Sequence, residues 1–156
     1  MSSPAPTHDQ LLSNIKAATK SVFEAFHAGS TEGLLPNASD SFAYYIHPAS
    51  VNLPPMTRAG FLEFWATSMA PNLSNFTAEF HTEVYDVENR KSTVYLSSTA
   101  DTPLGPGTWT NEAVFMSQFT DDGKTLLRVD ELLDSAFYKD FMAKIEGLKQ
   151  QKAGGV

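Results

Sequence analysis

Residues 109–134 read WTNEAVFMSQFTDDGKTLLRVDELLD: an apolar strand, a turn at Thr120, Asp121, Asp122, Gly123 and Lys124, then a second strand carrying a carboxylate among greasy neighbours. Asp-Gly at the turn marks a β-hairpin, because glycine accepts the positive φ that other side chains resist and the flanking segments alternate in character. In the second strand the odd positions are Leu127, Val129, Glu131 and Leu133, and the even ones are Arg128, Asp130, Leu132 and Asp134. Alternate side chains share a sheet face, so Glu131 falls on the apolar side and Arg128 with Asp130 on the wetter one. A carboxylate so placed must find a donor, take up a proton or border a polar cavity. The last two outcomes make a general acid or base; the first is a structural hydrogen bond to a neighbouring strand or to the first helix.

Working outward, Thr7 and Gln10 have the spacing of a capping box, and Leu11, Leu12, Ile15, Ala18, Val22, Phe23 and Phe26 form a helical stripe ending at Gly29. A short helical turn is expected at 31–35, a strand at 41–46 stopped by His47-Pro48, and a return pairing at 51–53. A helix capped by Thr57 runs to about residue 69, with Phe61, Leu62, Phe64, Trp65, Ser68 and Met69 as its stripe. Three further strands are expected, at 76–87, at 93–99 and in the first arm of the hairpin. In 76–87 the even set Phe76, Ala78, Phe80, Thr82 and Val84 reads as core. A last helix starts at Ser135 with Asp134 as its cap and buries Phe137, Phe141, Ile145 and Leu148. Residues 1–6 and 150–156 read as disordered ends around a single domain at 7–149.

At 156 residues and 42% apolar content the chain suits one globular domain with a real core. Its formal charge of −7 lacks the basic surface that nucleic acid or an anionic membrane requires. With no cysteine there is no disulfide, thiolate metal site or thiol nucleophile, and the four histidines show no ligand spacing, so no metal is expected. The start of the chain has no signal-peptide pattern and no apolar run has membrane-spanning length, so a cytoplasmic protein is expected.

Helices segregated from consecutive strands define an α+β domain. A curved antiparallel sheet of four to six strands, wrapped around the helices at 7–29 and 57–69, leaves a cone whose apolar interior suits a small ligand.

The element order, with WTNEAVFMSQFTDDGKTLLRVDELLDSAF at 109–137, resembles the SnoaL-like branch of the nuclear transport factor 2-like superfamily, a cystatin-like α+β barrel type, over residues 7–144. The resemblance implies a cofactor-independent isomerase or cyclase acting by acid/base catalysis on a polyketide, terpenoid or alkaloid intermediate of secondary metabolism. It also implies a homodimer formed through the sheet. On the residues it touches Asn111, Glu112, Glu131, Asp134 and Ser135. The same fold also serves non-catalytic ligand-binding or adaptor modules, dehydratases and epoxide hydrolases, so fold alone does not name the reaction.

An acid/base isomerase needs one group that moves a proton and donors that hold the developing oxyanion. Glu131 is the first choice for the proton, because apolar neighbours raise a carboxyl pKa towards neutrality. Arg58 is the candidate fixed cation, otherwise an exposed helix-start arginine. Glu112 shares a strand face with Val114 and Met116, which makes it either a second pocket carboxyl or a partner of Arg128. Tyr44, His47 and His81 are candidate donors, although Glu79, His81 and Glu83 together also read as a solvated stripe. Trp65, Trp109, Asn111 and Phe115 complete the expected substrate contacts, the aromatic ones as packing or pocket wall.

Overall fold

The computed structural model describes residues 5–27, 31 and 33–154. Helix α1, His8–His27, starts where the sequence indicates: Gln10 N–H donates to Thr7 Oγ1 at 3.3 Å and Thr7 N–H to Gln10 Oε1 at 2.9 Å, the reciprocal capping box. Leu11, Ile15, Ala18, Val22, Phe23 and Phe26 are buried. The His27 side chain and the expected stop at Gly29 lie outside the described residues. So does residue 32 of the short helix expected at 31–35, whose other residues form turns and bends. Strand β1, Ala38–His47, leads into a 3-10 turn, Ala49–Val51. It is Met56, rather than 51–53, that pairs back, in an isolated antiparallel bridge to Tyr44.

Helix α2, Arg58–Phe64, is capped by Thr57, whose Oγ1 accepts from Gly60 N–H at 3.1 Å. It widens into a π-type turn, Trp65–Met69, and then a 3-10 turn, Ala70–Asn72, where Pro71 cannot supply an N–H to an α-helical ladder. Strands β2 (Ser74–Asp86), β3 (Lys91–Thr102), β4 (Gly105–Phe119) and β5 (Leu126–Leu133) follow, and helix α3, Ser135–Gly154, ends the fold. Asp134 caps α3, accepting from the N–H groups of Ala136 and Phe137 at 3.0 and 3.1 Å. The helix runs through most of the tail expected to be disordered, since its Lys, Gln and Ala residues favour helix even where no core packs against them.

The five strands form one sheet in the order β1-β5-β4-β3-β2. Neighbours β2 to β5 are antiparallel, whereas β1 lies parallel to β5, because α2 and three strands intervene as a crossover. Register breaks occur in every pairing, including between Phe80 and Thr82 and between Gln118 and Phe119, and each such bulge adds bend and twist. Two of them overturn the simple alternation. Beyond His81 the faces of β2 exchange: Glu83 and Tyr85 pair with the buried Val94 and Ser92, while Val84 is 56% exposed. Before Arg128 the break puts Leu126, not Leu127, in the core.

The hairpin turn is fastened to α1. Gly123, at φ 72°, donates its N–H to Thr120 O at 2.8 Å, and a Cβ there would stand 3.0 Å from the Ile15 side chain. Asn14 Nδ2 donates to Asp122 O at 2.7 Å, so the turn that sets the register of β4 and β5 also docks the helix.

Candidate active site

The bend of the sheet and the three helices line a narrow cavity of about 70 Å³. Phe23 and Phe26 of α1, Phe61 and Trp65 of α2 and the π-turn, and Phe76 of β2 supply aromatic walls; Leu96, Ala113, Phe115 and Leu133 supply part of the sheet wall. Many of these rings support one another edge to face: Phe23 lies 5.1 Å from Phe115, and Phe26 lies 4.7 Å from Trp65. Polar atoms are few. They come from Glu131, Tyr44, Tyr138, Asn111, Ser98 and the Trp109 indole.

Glu131 projects from β5 between Ile46 of β1 and Phe115 of β4, its ladder partners. It borders the cavity, so part of its surface is open to that space, yet protein surrounds it deeply. Loss of hydration raises its pKa to about 7, against the opposing effect of one hydrogen bond: Tyr44 Oη donates to Oε2 at 2.7 Å. Tyr44 is itself buried, stacked at 4.1 Å on Phe61, and its own pKa is pushed well up by burial and then by the Glu131 charge. The carboxyl therefore titrates near neutrality while the phenol beside it stays a donor.

Tyr138 is the residue that the sequence reading missed. Its place follows from the Asp134 cap, which starts α3 directly after β5, so that the first helical turn folds back beside the strand end; Tyr138 N–H donates to Asp134 O at 3.0 Å. Burial, then the nearby Glu131 charge, raise the Tyr138 pKa. Its hydroxyl has no hydrogen-bond partner among the described residues. The spacing Tyr138, Phe141, Ile145 carries the signal, for all three are buried in a single helical stripe.

Of the expected contacts, Tyr44, Trp65, Trp109, Asn111 and Phe115 line the cavity with Glu131. Four others lie elsewhere. Glu112 is on the outer sheet face, exposed, accepting from Tyr95 Oη at 3.1 Å; it does share a face with Val114 and Met116, but alternation points that face away from the cavity. Nor does it pair with Arg128, which binds Asp130 through Nε and Nη2 at 2.5 and 2.7 Å. His47 is on the same outer face, 2.8 Å from Asp130 and stacked beside Tyr45. His81, at the β2 bulge, bonds Ser97 at 2.8 Å on the outer side. Arg58 turns away from the aromatic stripe to hold backbone, donating to Leu35 O at 3.0 Å and Leu34 O at 3.5 Å. No group of three or more His, Asp or Glu side chains is gathered for a metal ion among the described residues, and none of the described helices is long and apolar enough to cross a membrane.

What remains in the cavity is one near-neutral carboxyl, two phenols and an amide in an aromatic slot. That set can take a proton from carbon or oxygen and return it elsewhere on a bound apolar molecule.

No family model matches the chain. Among proteins of known name, it is 31% identical over 144 residues to the monooxygenase nsrS of Aspergillus novofumigatus, covering 92% of both chains. It is 30% identical over 144 residues to the monooxygenase dmxR10 of Cryptosporiopsis sp., covering 92% of this chain and 91% of that one. Among solved structures, the BvnE pinacolase of Penicillium brevicompactum superposes with a TM-score of 0.81 at 18% identity, over 89% of this chain and 99% of that one. A nuclear transport factor 2-like protein of Burkholderia pseudomallei superposes at 0.64 with 12% identity, over 79% and 92%. The cone-shaped α+β architecture is thus the nuclear transport factor 2-like fold, and the chain belongs to the family of fungal proteins that includes the nsrS and dmxR10 monooxygenases.

Proposed function

We propose that this protein is a cofactor-independent isomerase or cyclase of secondary metabolism, with Glu131 as its single proton-transferring group. The observation that carries this reading is the placement of that carboxyl: in an aromatic cavity, held by Tyr44 at 2.7 Å, with a pKa of about 7. A group poised there is present in both protonation states at neutral pH, so it serves as base in one step and acid in the next. Tyr44 orients the carboxyl, and the unbonded Tyr138 hydroxyl stabilises the enolate or alkoxide that forms. The substrate is a largely apolar ring system, because the slot offers stacking faces and few polar atoms.

Hydrogen exchange in a surrogate carbon acid tests the reading. Wild-type protein accelerates exchange of the acidic CH2 protons of anthrone in D2O under argon, and Glu131→Gln abolishes the acceleration. Equal rates with the two proteins refute the role of Glu131.

The names of the relatives favour a second reading, oxygenation at the same site. Removal of a CH2 proton by Glu131 gives a carbanion. Its electrons pass to dioxygen in one-electron steps, a C–O bond forms, and protonation yields a hydroperoxide. Loss of the remaining hydrogen from that carbon breaks the O–O bond and expels water, so that CH2 plus O2 becomes C=O plus H2O. With anthrone in air this reading gives anthraquinone with uptake of one O2 per turnover; exchange without oxygen uptake leaves isomerisation or cyclisation.

Self-association belongs to the same reading. Val84, Met116 and Leu132, 56, 40 and 45% exposed, lie on the outer face of three strands, and a second copy covers them.

A further inference from the structure

The cavity is smaller than a single aromatic ring. Its volume of about 70 Å³ is less than half of the roughly 150 Å³ in which a dry apolar site holds one benzene. A ring reaches Glu131 only if one wall yields, and the walls are not equally held.

The sheet wall is fixed by its ladder hydrogen bonds. Helix α1 is pinned to the hairpin by Asn14, which donates to Asp122 O at 2.7 Å, and to β3 by the buried Thr19 Oγ1, which donates to Ser92 Oγ at 2.9 Å. From α3, among the described residues, Tyr138 alone lines the cavity, and the Asp134 cap ties that helix start to the end of β5. Residues 63–73 differ. They place Phe64, Trp65 and Met69 on the cavity, yet among the described residues their side-chain hydrogen bonds stay inside the segment: Thr67 Oγ1 donates to Glu63 O and Asn72 Nδ2 to Ser68 O, both at 2.8 Å. What joins the segment to the other walls is apolar. The Trp65 ring stands edge to face at 4.7 Å from Phe26 and 6.5 Å from Phe76, and Met69 is buried.

The backbone of this segment is also its most compliant part. Ala70 N–H reaches back five residues to Trp65 O, a π-type closure that functional sites often carry and that differs from the α form by one residue of hydrogen-bond register. Both ends are firm. Arg58 donates to Leu35 O at 3.0 Å upstream, and Asn75 Nδ2 donates to Asp101 Oδ2 at 2.7 Å downstream, where β2 joins the sheet.

We propose that residues 63–73 form a strap, hinged at these two ends, that swings outward to admit a ring, with Trp65 as the gate side chain. Opening the sheet instead would break ladder hydrogen bonds, whereas moving the strap separates only apolar surfaces, which the incoming ring covers again. The inference concerns access to the cavity and goes beyond the reading of its chemistry.

Both tryptophans of the chain line the cavity, so a quencher that enters reports its own arrival, and Trp109 still reports it when Trp65 is replaced. The probes are nitrobenzene and the larger 1-nitronaphthalene, mixed in excess with the protein in a stopped-flow fluorimeter. Immediate collisional quenching separates from the slower phase that marks entry. In wild type the entry rate levels off with quencher concentration at one value shared by both probes, the rate at which the strap opens. In Trp65→Ala the plateau rises about tenfold or more, because the gate ring is gone. Thr67→Ala, at an exposed position, removes the bond to Glu63 O and raises the plateau severalfold at unchanged melting temperature; it carries the test if Trp65→Ala does not fold. Amide hydrogen exchange of the unliganded protein should be at least about a hundredfold faster in residues 63–73 than in β3 and β4. The proposal is overturned if wild type shows no slow entry phase, if its rate climbs linearly with either probe, if the two plateaus differ, if neither variant moves them, or if the strap amides are as protected as those of the strands. Neither quencher has an acidic C–H bond, so this measurement decides access alone, and the anthrone exchange decides the acid/base reading separately.

Discussion

Tyr44 Oη stands 2.7 Å from Glu131 Oε2, and the two residues lie 87 positions apart on strands β1 and β5, which run in parallel. One hydrogen bond thus ties an edge strand to the strand that carries the reactive carboxyl, and it opposes the burial that drives the Glu131 pKa upward. Structure and chemistry share this contact.

Replacing Glu131 by Gln is expected to stabilise the fold at alkaline pH. The carboxyl's folded pKa of about 7 lies above its ordinary 4.5, so between these values the folded state holds more protons than the unfolded state, and stability falls as pH rises through that window. The cost is complete above pH 7 and absent below pH 4.5. Its size, from about 1.4 kcal/mol per pKa unit, is on the order of 3 kcal/mol. Urea unfolding of both proteins at pH 5 and pH 8.5 checks this: the advantage of Glu131→Gln should grow between the two.

Tyr44→Phe removes the donor that lowers the carboxyl pKa, so the inflection of the pH profile for anthrone exchange should move above its wild-type position near 7. Stability should fall by about 1 kcal/mol, the usual net worth of one such bond. An unmoved inflection shows that the phenol does not govern the carboxyl.

Tyr138→Phe keeps the ring and deletes only the hydroxyl. Rates should fall about tenfold or more, with substrate affinity little changed, since an oxyanion donor acts mainly in the transition state. A rise in KM at constant kcat points instead to ground-state binding.

Glu112→Gln and Arg58→Ala separate the cavity from the rest of the molecule. Glu112 lies on the outer face, so its amide variant should exchange anthrone at the wild-type rate. Arg58→Ala frees the Leu34 and Leu35 carbonyls and should cost roughly 1–2 kcal/mol of stability, again with chemistry intact. Thermal melts alongside the exchange assay distinguish the two kinds of loss.

Leu132→Lys places a charge in the exposed apolar face of β5, with its side chain outside the cavity. Light scattering should show a smaller particle than wild type, with exchange activity retained per chain. Two proteins of equal mass would remove this face from the dimer.

Much of this was written in the chain itself. Period-two alternation put Glu131 on the apolar side, Asp-Gly set the hairpin, and Thr7, Thr57 and Asp134 announced three helix starts, because each signal depends only on neighbours a few residues away. Alternation also sorts residues into two faces without saying which one the helices cover. For that reason Glu112, His47 and His81, plausible on paper, stand outside, and the bulges at His81 and before Arg128 changed faces unannounced. Tertiary structure alone decided that a tyrosine of β1 and another of α3 would meet the carboxyl, and that Asn111 would be buried without a partner. The tyrosine of β1 lies 87 residues from the carboxyl and that of α3 only 7, yet both meetings are fixed by sheet order, strand register and the docking of α3, none of which a local pattern encodes.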